Sequence, residues 1–454
     1  MTGEWFTEPI AGQQCAQVWA PLDYQGVQGR SIAEVPTVRL AVSRLPASGA
    51  RKGALLAISG GPGGEGLGLI ESAYPPEVRE QFDIVSYDPR GVGRSTPLIQ
   101  CAGGLDTDST TDDTEAIEAA ERAEVAACVR DTGLHVLRHI GSDEATNDVD
   151  LLRAVLGEKQ INLLAYSYGT QIAAMYALRF PHNYRAAVLD GVVDIAERPH
   201  EWIVGQNRGY QATFTRLAAF CADEYDAECP LGDDPAIAEA TFQQLLRDAD
   251  SAPVPADEGE AVRADDILVA TYTGLLWRSM WEPYLRALQE VRQGDGTTIR
   301  RFADWQDSAG TNAITAITCT DIAEPTADRA ARQQQAAARY DAATYDNYDP
   351  RPAEFPLEDC DLWPFPGKII PGKALPLAPS RIESAARLLF VGTRHDPTTP
   401  VGNAERMAKY MTSPLLIREG DGHCAVFNDE NSCVDAEVVR YLKDPNSVGD
   451  KVCA

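Results

Sequence analysis

Ser167 stands in a segment whose residue types fit a nucleophile presented at a sharp turn. The segment AYSYG, residues 165–169, has the pattern small residue, any residue, serine, any residue, glycine. This pattern is typical of a nucleophile elbow, in which a strand ends and the chain turns tightly into a helix. Residues 161–165 predict the strand and residues 171–180 predict the helix. We therefore interpret Ser167 as a catalytic nucleophile.

A nucleophilic serine needs a general base, and the chain offers only six histidines. Where a nucleophile elbow is used, the histidine comes last in the chain order Ser, Asp, His. His423 lies in a loop that follows the apolar run 415–417. The other histidines lie in segments without catalytic context, so we interpret His423 as the base.

The acid that orients this histidine should follow the preceding strand. Residues 387–392 predict that strand, and Asp396 lies in the loop 393–400 directly after it. We interpret Asp396 as the acid of a Ser-Asp-His triad. The alternative is that Asp396 only caps a helix near Val401 and that His423 is an ordinary loop residue.

A glycine-rich loop supplies a candidate oxyanion hole. The buried strand predicted for residues 54–58 is followed by SGGPGG, residues 59–64. Glycines let backbone N–H groups approach a developing alkoxide closely. We expect one donor from Gly61 and the other from the N–H of Tyr168, directly after the nucleophile. The loop lacks the Lys-Ser/Thr ending of a phosphate-binding loop, and a plain turn is the remaining alternative.

Together these motifs resemble the tripeptidyl-aminopeptidase branch of the α/β-hydrolases, which is related to the proline iminopeptidases. The resemblance rests on the two catalytic loops at Asp396 and His423 and on further motifs of the sequence. These are GGPGG at 60–64, DPRGVGRS at 88–95, SYGT at 167–170, DGVVD at 190–194 and the opening segment 18–24. The match covers nearly the whole chain except its middle.

The resemblance implies an α/β-hydrolase fold with a mostly parallel central sheet and an inserted, mainly helical lid domain. It also implies a serine exopeptidase that releases short peptides or proline from free N-termini through an acyl-enzyme, without a cofactor. An esterase, lactonase or amidase acting on a small metabolite is the alternative. A non-catalytic binding protein is disfavoured by the complete set of triad residues.

The chain order of the candidate triad requires a catalytic domain interrupted by an insertion. Strands and helices alternate in the first part of the core, 1–195, and the second part, 381–454, contains Asp396 and His423. Between them, residues 196–380 read as helices and loops, and we call this segment the insertion. The Pro-, Ala- and acid-rich residues 250–260 predict a flexible connection within it.

An aminopeptidase needs a carboxylate that binds the ammonium group of the substrate. The candidates near the start of the insertion are Asp194, Glu197, Glu201 and Glu224, with Glu201 the first choice, although a solvated charge is the alternative for each. One or two tryptophans of the insertion are expected to line the substrate pocket, and the others are expected to pack in the core of the insertion. These tryptophans are Trp202, Trp277, Trp281, Trp305 and Trp363.

Composition narrows the possible partners. The net charge of −28 argues against nucleic acid and against anionic membrane surfaces. The sequence contains no apolar run long enough to span a membrane. We expect a peptide or a small acyl compound as the partner, and nothing in the sequence fixes the oligomeric state. No Cys/His cluster has zinc spacing, so no metal is expected.

The ten cysteines indicate the redox compartment. Their placement suggests four local disulfides, and Cys15 and Cys424 could pair with each other or stay free. Disulfides imply an oxidising compartment, so we expect a secreted or extracytoplasmic protein. Because the first residues do not resemble a signal peptide, a cytoplasmic protein with reduced thiols is the alternative. The expected pairs are Cys101–Cys128, Cys221–Cys229, Cys319–Cys360 and Cys433–Cys453.

Overall fold

A central β-sheet organises the chain. The computed structural model describes residues 12–27, 29–101, 113–225, 228–308, 311–325, 328–369, 387–428 and 431–454. The strands of this sheet are β1 (Gln14–Pro21), β2 (Thr37–Leu45), β3 (Gly53–Ile58), β4 (Phe82–Tyr87), β5 (Ile161–Tyr166), β6 (Tyr184–Asp190), β9 (Leu389–His395), β10 (Leu415–Asp421) and β11 (Lys451–Cys453). Among the described residues they lie in the order β1-β2-β4-β3-β5-β6-β9-β10-β11.

The sheet is mostly parallel. β1 pairs antiparallel with β2, and β2 pairs antiparallel with β4. All neighbours from β4 to β11 pair in parallel. The central strands β3 and β4 are buried along their whole length, as expected for strands with helices on both faces of the sheet. The carboxyl ends of β5, β6, β9 and β10 therefore meet at one edge, where the site lies.

Helices pack on the sheet and form the insertion between β6 and β9. Those before β6 are α1 (Pro76–Arg79), α2 (Thr114–Cys128), α3 (Leu134–Leu137), α4 (Ser142–Val155) and α5 (Tyr168–Arg179). Those of the insertion are α6 (Pro199–Tyr225), α7 (Ala238–Ser251), α8 (Ala264–Leu276), α9 (Trp281–Arg292), α10 (Thr297–Ser308), α11 (Thr311–Ile322), α12 (Arg329–Tyr340) and α13 (Asp359–Leu362). Those after β9 are α14 (Val401–Tyr410) and α15 (Ser432–Lys443).

The insertion has a hydrophobic core of its own. Phe214 stacks on Tyr345 with ring centroids 4.8 Å apart and lies 5.2 Å from Phe242. These rings belong to a buried cluster that is separate from the two clusters covering the faces of the sheet. Trp281 belongs to the insertion's cluster, whereas Trp363 packs into a cluster of the sheet. None of the described helices has both the length and the apolar composition needed to cross a membrane.

The expected fold class is confirmed, and one local expectation is wrong. Residues 250–260 do not form a flexible connection, because β7 (Val254–Pro255) pairs antiparallel with β8 (Ala261–Val262). The N–H of Ala256 also donates to the carbonyl of Glu260 at 2.8 Å. The boundary expected near 195 falls between β6 and α6. The boundary at 380 lies outside the described residues, so the division into domains stays a prediction.

Candidate active site

Ser167 occupies a strained turn between β5 and α5. Its backbone has φ 52° and ψ −126°, a left-handed conformation that is uncommon for a residue with a side chain. A Cβ atom on Gly169 would lie 2.6 Å from the carbonyl oxygen of Ser59, so only glycine fits there. The N–H of Ser167 donates to the carbonyl of Asp190 at 2.8 Å. The turn therefore has the backbone geometry of a nucleophile elbow.

Asp396 follows the end of β9 and accepts several hydrogen bonds. Its Oδ1 accepts the backbone N–H groups of Thr398 and Thr399 at 2.9 and 2.8 Å. Its Oδ2 accepts the Thr399 hydroxyl at 2.9 Å. The Nδ1 of His423 lies 2.8 Å from Oδ2 and 3.0 Å from Oδ1. The carboxylate is thus held in place and faces one nitrogen of the imidazole.

His423 is buried in a loop that the insertion also holds. The backbone N–H of His423 donates to the carbonyl of Leu276 at 2.8 Å, and its backbone carbonyl accepts the indole N–H of Trp277 at 2.9 Å. Burial lowers the pKa of His423, but the charge of Asp396 and their hydrogen bond raise it, and the net pKa lies above the ordinary value. With Nδ1 facing Asp396, Nε2 is the nitrogen left for proton transfer.

The two expected oxyanion donors line one small cavity together with Ser167. Gly61 belongs to the glycine loop, which is closed by a 3.2 Å hydrogen bond from the N–H of Gly64 to the carbonyl of Gly60. Tyr168 is the first residue of α5, and the N–H groups of a helix's first turn have no acceptor within the helix. These positions suit backbone donation to an oxyanion.

A large apolar cavity contains both Ser167 and His423. Its volume is about 850 Å³. Among the described residues, no aspartate or glutamate lines it. Trp277 is one of its walls, as expected for a tryptophan of the insertion. The other large side chains around it include Tyr166, Tyr210, Tyr272, Leu276 and Phe427.

A smaller cavity of about 60 Å³ adjoins Ser167 on another side. It shares Gly61, Ser167 and Gln206 with the large cavity, and Trp202 lines it. Its lining also includes the acidic residues Asp194, Glu197 and Asp321. Acidic residues therefore line the small cavity at Ser167, whereas among the described residues none lines the large one.

The four acidic candidates of the sequence lie in different surroundings. Asp194 is buried, and its Oδ2 accepts a hydrogen bond from the guanidinium of Arg406 at 2.6 Å. Oε1 of Glu197 lies 3.3 Å from the same guanidinium. Burial raises the pKa of Glu197, and the charge of Arg406 lowers it, with a net rise. Glu201, the first choice from sequence, does not line the small cavity; it lines a surface groove that Glu197 also borders, and it pairs with Arg198. Glu224 is exposed near the end of α6.

The other sequence expectations have mixed outcomes. All four expected disulfides are present. Cys15 and Cys424 do not form a disulfide with each other. The side chain of Trp305 lies outside the described residues. Two groups of acidic and histidine side chains have ligand-like spacing, around Glu144 and around Glu121, but neither group lines the cavities at Ser167.

Comparisons with known proteins indicate one family of hydrolases. A sequence profile described as "alpha/beta hydrolase fold" matches residues 53–227, and one described as "TAP-like protein" matches residues 348–453. Serine protease Hip1 of Mycobacterium tuberculosis is 33% identical over 95% of this chain and 85% of its own length. Carboxylesterase B of the same organism is 32% identical over 96% and 85%. Tripeptidyl aminopeptidase of Streptomyces coelicolor is 30% identical over 94% and 80%.

Proposed function

The chain belongs to the TAP-like family of α/β-hydrolases, and on that premise we propose that this serine hydrolase is an exopeptidase. It releases short peptides or proline from free N-termini through an acyl-enzyme. The hydrogen bond between Nδ1 of His423 and Asp396 beside the cavity that contains Ser167 supports the serine hydrolase chemistry. The observation that carries the exopeptidase proposal is the presence of Asp194 and Glu197 in the lining of the small cavity at Ser167. Peptidase activity is supported by the relatives named serine protease and tripeptidyl aminopeptidase.

In the proposed mechanism, Oγ of Ser167 attacks the scissile carbonyl while Nε2 of His423 takes its proton. The N–H groups of Gly61 and Tyr168 donate to the oxyanion of the tetrahedral intermediate. His423 then gives the proton to the leaving amine, and the carbon–nitrogen bond breaks to leave an ester on Ser167. Water hydrolyses this ester by the same proton transfers. Asp396 holds the imidazole tautomer and stabilises the imidazolium.

The acidic side of the site is the proposed binding place for the substrate's free ammonium. Glu197 is the favoured residue, because Asp194 already forms a close ion pair with Arg406. An ammonium beside Glu197 would stabilise the ionised carboxylate against its raised pKa. The cavity of about 60 Å³ would take the ammonium end of the substrate, with the rest of the peptide in the large cavity.

A carboxylesterase is the second candidate, and two observations favour it. The large cavity at Ser167 is apolar and lacks carboxylates among its described lining, which suits an uncharged ester. A relative of this chain is named carboxylesterase B. The triad chemistry is the same for both functions, so only the substrate separates them.

A substrate panel separates the two candidates. Aminoacyl, dipeptidyl and tripeptidyl chromogenic amides with free N-termini are compared with simple chromogenic esters and with N-acetylated amides. An exopeptidase cleaves one of the free amides with a kcat/KM well above that of its acetylated form. Fast cleavage of esters without cleavage of any free amide would move the assignment to the esterase. The length of the best amide gives the number of residues released.

We further propose that the chain acts outside the cytoplasm. The four disulfides support an oxidising compartment, because such bonds rarely persist where glutathione keeps thiols reduced. Fractionation of the native source with an antibody to the chain tests this proposal. Recovery only from the cytoplasm would contradict it.

A further inference from the structure

We propose that Asp321, on α11 of the insertion, is a positioning residue for the oxyanion hole. This inference rests on the proposed function, since it concerns the donors that stabilise the transition state. Nothing in the local sequence around Asp321 suggests a role at the nucleophile. The role follows from contacts that α11 makes with both segments expected to supply an oxyanion donor.

One end of α11 holds the segment that follows the nucleophile. Asp321 is 1% exposed, and its Oδ2 accepts the hydroxyl of Tyr168 at 2.8 Å and the amide of Gln171 at 3.2 Å. Both partners lie in the first turn of α5. The same carboxylate accepts the hydroxyl of Ser142 and, through Oδ1, the backbone N–H of Ser142 at 2.8 Å. The carboxylate therefore ties the first turns of α4 and α5 to the insertion.

The other end of α11 packs against the glycine loop. A Cβ atom on Gly63 would lie 2.9 Å from the Cβ of Ala313 and 3.2 Å from the backbone nitrogen of Ile314. The loop that contains Gly61 therefore rests directly on the first turns of α11. The disulfide between Cys319 and Cys360 fixes the helix to α13. One helix thus supports both the loop of Gly61 and the residue Tyr168.

The hydrogen-bond partners of Asp321 argue for positioning rather than for direct substrate binding. Although Asp321 lines the small cavity, its two oxygens accept four donors from Ser142, Tyr168 and Gln171. A substrate ammonium would have to displace some of these bonds. Burial raises the pKa of Asp321 and its hydrogen bonds lower it, and the net pKa is about 6. The carboxylate is therefore mostly ionised at neutral pH. The ionised form alone accepts all four donors.

The test compares Asp321→Asn and Tyr168→Phe with wild type. The amide of Asp321→Asn presents a donor where Tyr168 and Ser142 need an acceptor, and Tyr168→Phe removes only the tyrosine arm. Because a well-placed oxyanion donor contributes on the order of 10²–10³ in kcat, partial misplacement should cost about 10- to 100-fold. We expect this loss in kcat for amides and esters alike, with KM changed less than about twofold.

A transition-state readout separates positioning from general damage. Phenylboronic acid forms a tetrahedral adduct with a nucleophilic serine, so its inhibition constant should rise by the same factor as kcat/KM falls. The double variant should lose little more than Asp321→Asn alone, since both act through one contact. Asp250→Asn is the matched control, because this carboxylate of the insertion also accepts a tyrosine hydroxyl and a backbone N–H. It should keep wild-type kinetics.

Each outcome bears on the inference separately from the proposed function. Wild-type kcat in both Asp321→Asn and Tyr168→Phe overturns it, and so does a loss confined to KM for free N-termini, which would make Asp321 a substrate ligand. If Asp321→Asn does not fold, Tyr168→Phe decides the question alone. If wild type cleaves no substrate and reacts with no fluorophosphonate, the proposed function itself fails.

Discussion

The backbone carbonyl of Asp190 accepts the backbone N–H of Ser167 at 2.8 Å, so the end of β6 fixes the turn that carries the nucleophile. The side chain of the same residue holds the loop of the base. Its Oδ2 accepts the N–H groups of Ala425 and Val426 at 2.7 and 2.8 Å, two and three residues after His423. Asp190 is fully buried, and burial raises its pKa to about 6. One buried residue thus connects two members of the proposed triad.

This arrangement predicts different effects for two substitutions of Asp190. Asp190→Asn keeps an oxygen for both N–H groups and should reduce kcat less than about tenfold. Asp190→Ala leaves both N–H groups unsatisfied, which costs about 1–3 kcal/mol of stability for each group. It should also release the loop of His423 and lower kcat by about 100-fold. Thermal unfolding and steady-state kinetics measure both, and equal kinetics for the two variants would contradict this role.

The pH dependence of activity should report the protonation of His423. The imidazole acts as a base only when neutral, and its pKa is raised above 6.5 by Asp396 despite the opposing effect of burial. Activity should therefore fall as the pH decreases through a value above about 6.5. Asp396→Asn removes the charge, so the residual activity should titrate at lower pH. If the acidic limb of the pH–activity profile is unchanged in Asp396→Asn, the pairing of His423 with Asp396 is contradicted. Glu201→Gln is the control and should keep the wild-type profile.

The residues proposed for the triad could be chosen from sequence because each follows a recognisable strand. Ser167 directly follows β5, Asp396 follows β9, and His423 comes shortly after β10. The glycine loop after β3 was recognisable for the same reason. Strand order along the chain then places these carboxyl ends at one edge of the sheet.

Contacts made by the insertion could not be predicted in this way. The indole of Trp277 donates a hydrogen bond to the carbonyl of His423, which is 146 residues away in sequence. Asp321 accepts a hydrogen bond from Tyr168, which is 153 residues away. Such contacts depend on how the insertion packs, which no local pattern encodes. Likewise, no periodicity distinguishes Glu197, which lines the small cavity, from Glu201, which does not. The Pro- and Ala-rich residues 250–260 have loop-like composition, although their backbone pairs.

The disulfide pattern can be tested on native protein. Under non-reducing conditions, peptide mass spectrometry should find Cys433 linked to Cys453. This bond closes a loop of 20 residues, for which cross-linking contributes roughly 3 kcal/mol. The double variant Cys433→Ala/Cys453→Ala should lose about that amount in denaturant unfolding. Free thiols at all ten cysteines in freshly isolated protein would overturn the expected oxidising compartment.

Recognition of a free N-terminus should depend on Glu197. An acetylated substrate leaves the half-buried carboxylate of Glu197 without an ammonium partner, although Arg406 still lies 3.3 Å away. The loss should therefore be smaller than the cost of about 3–5 kcal/mol for a fully buried pair, and free peptide amides should exceed acetylated ones in kcat/KM by about tenfold or more. Glu197→Gln should erode this preference by slowing the free substrate.

Glu201→Gln is the matched control for this experiment, because Glu201 lies four residues away in sequence but pairs with Arg198 and does not line the small cavity. It should keep the wild-type preference. Loss of the preference in Glu201→Gln but not in Glu197→Gln would transfer the role to Glu201. Equal rates for blocked and free substrates in wild type would remove exopeptidase recognition altogether.

The nucleophile can be identified directly by labelling with a fluorophosphonate and mapping the adduct by mass spectrometry. We predict a single adduct on Ser167 in wild type, no adduct in Ser167→Ala and a much slower reaction in His423→Ala. Both variants should lose on the order of 10⁴-fold or more in kcat, and the double variant should lose little beyond either alone. A label on another residue, or near-normal turnover by Ser167→Ala on the best substrate, would contradict the account.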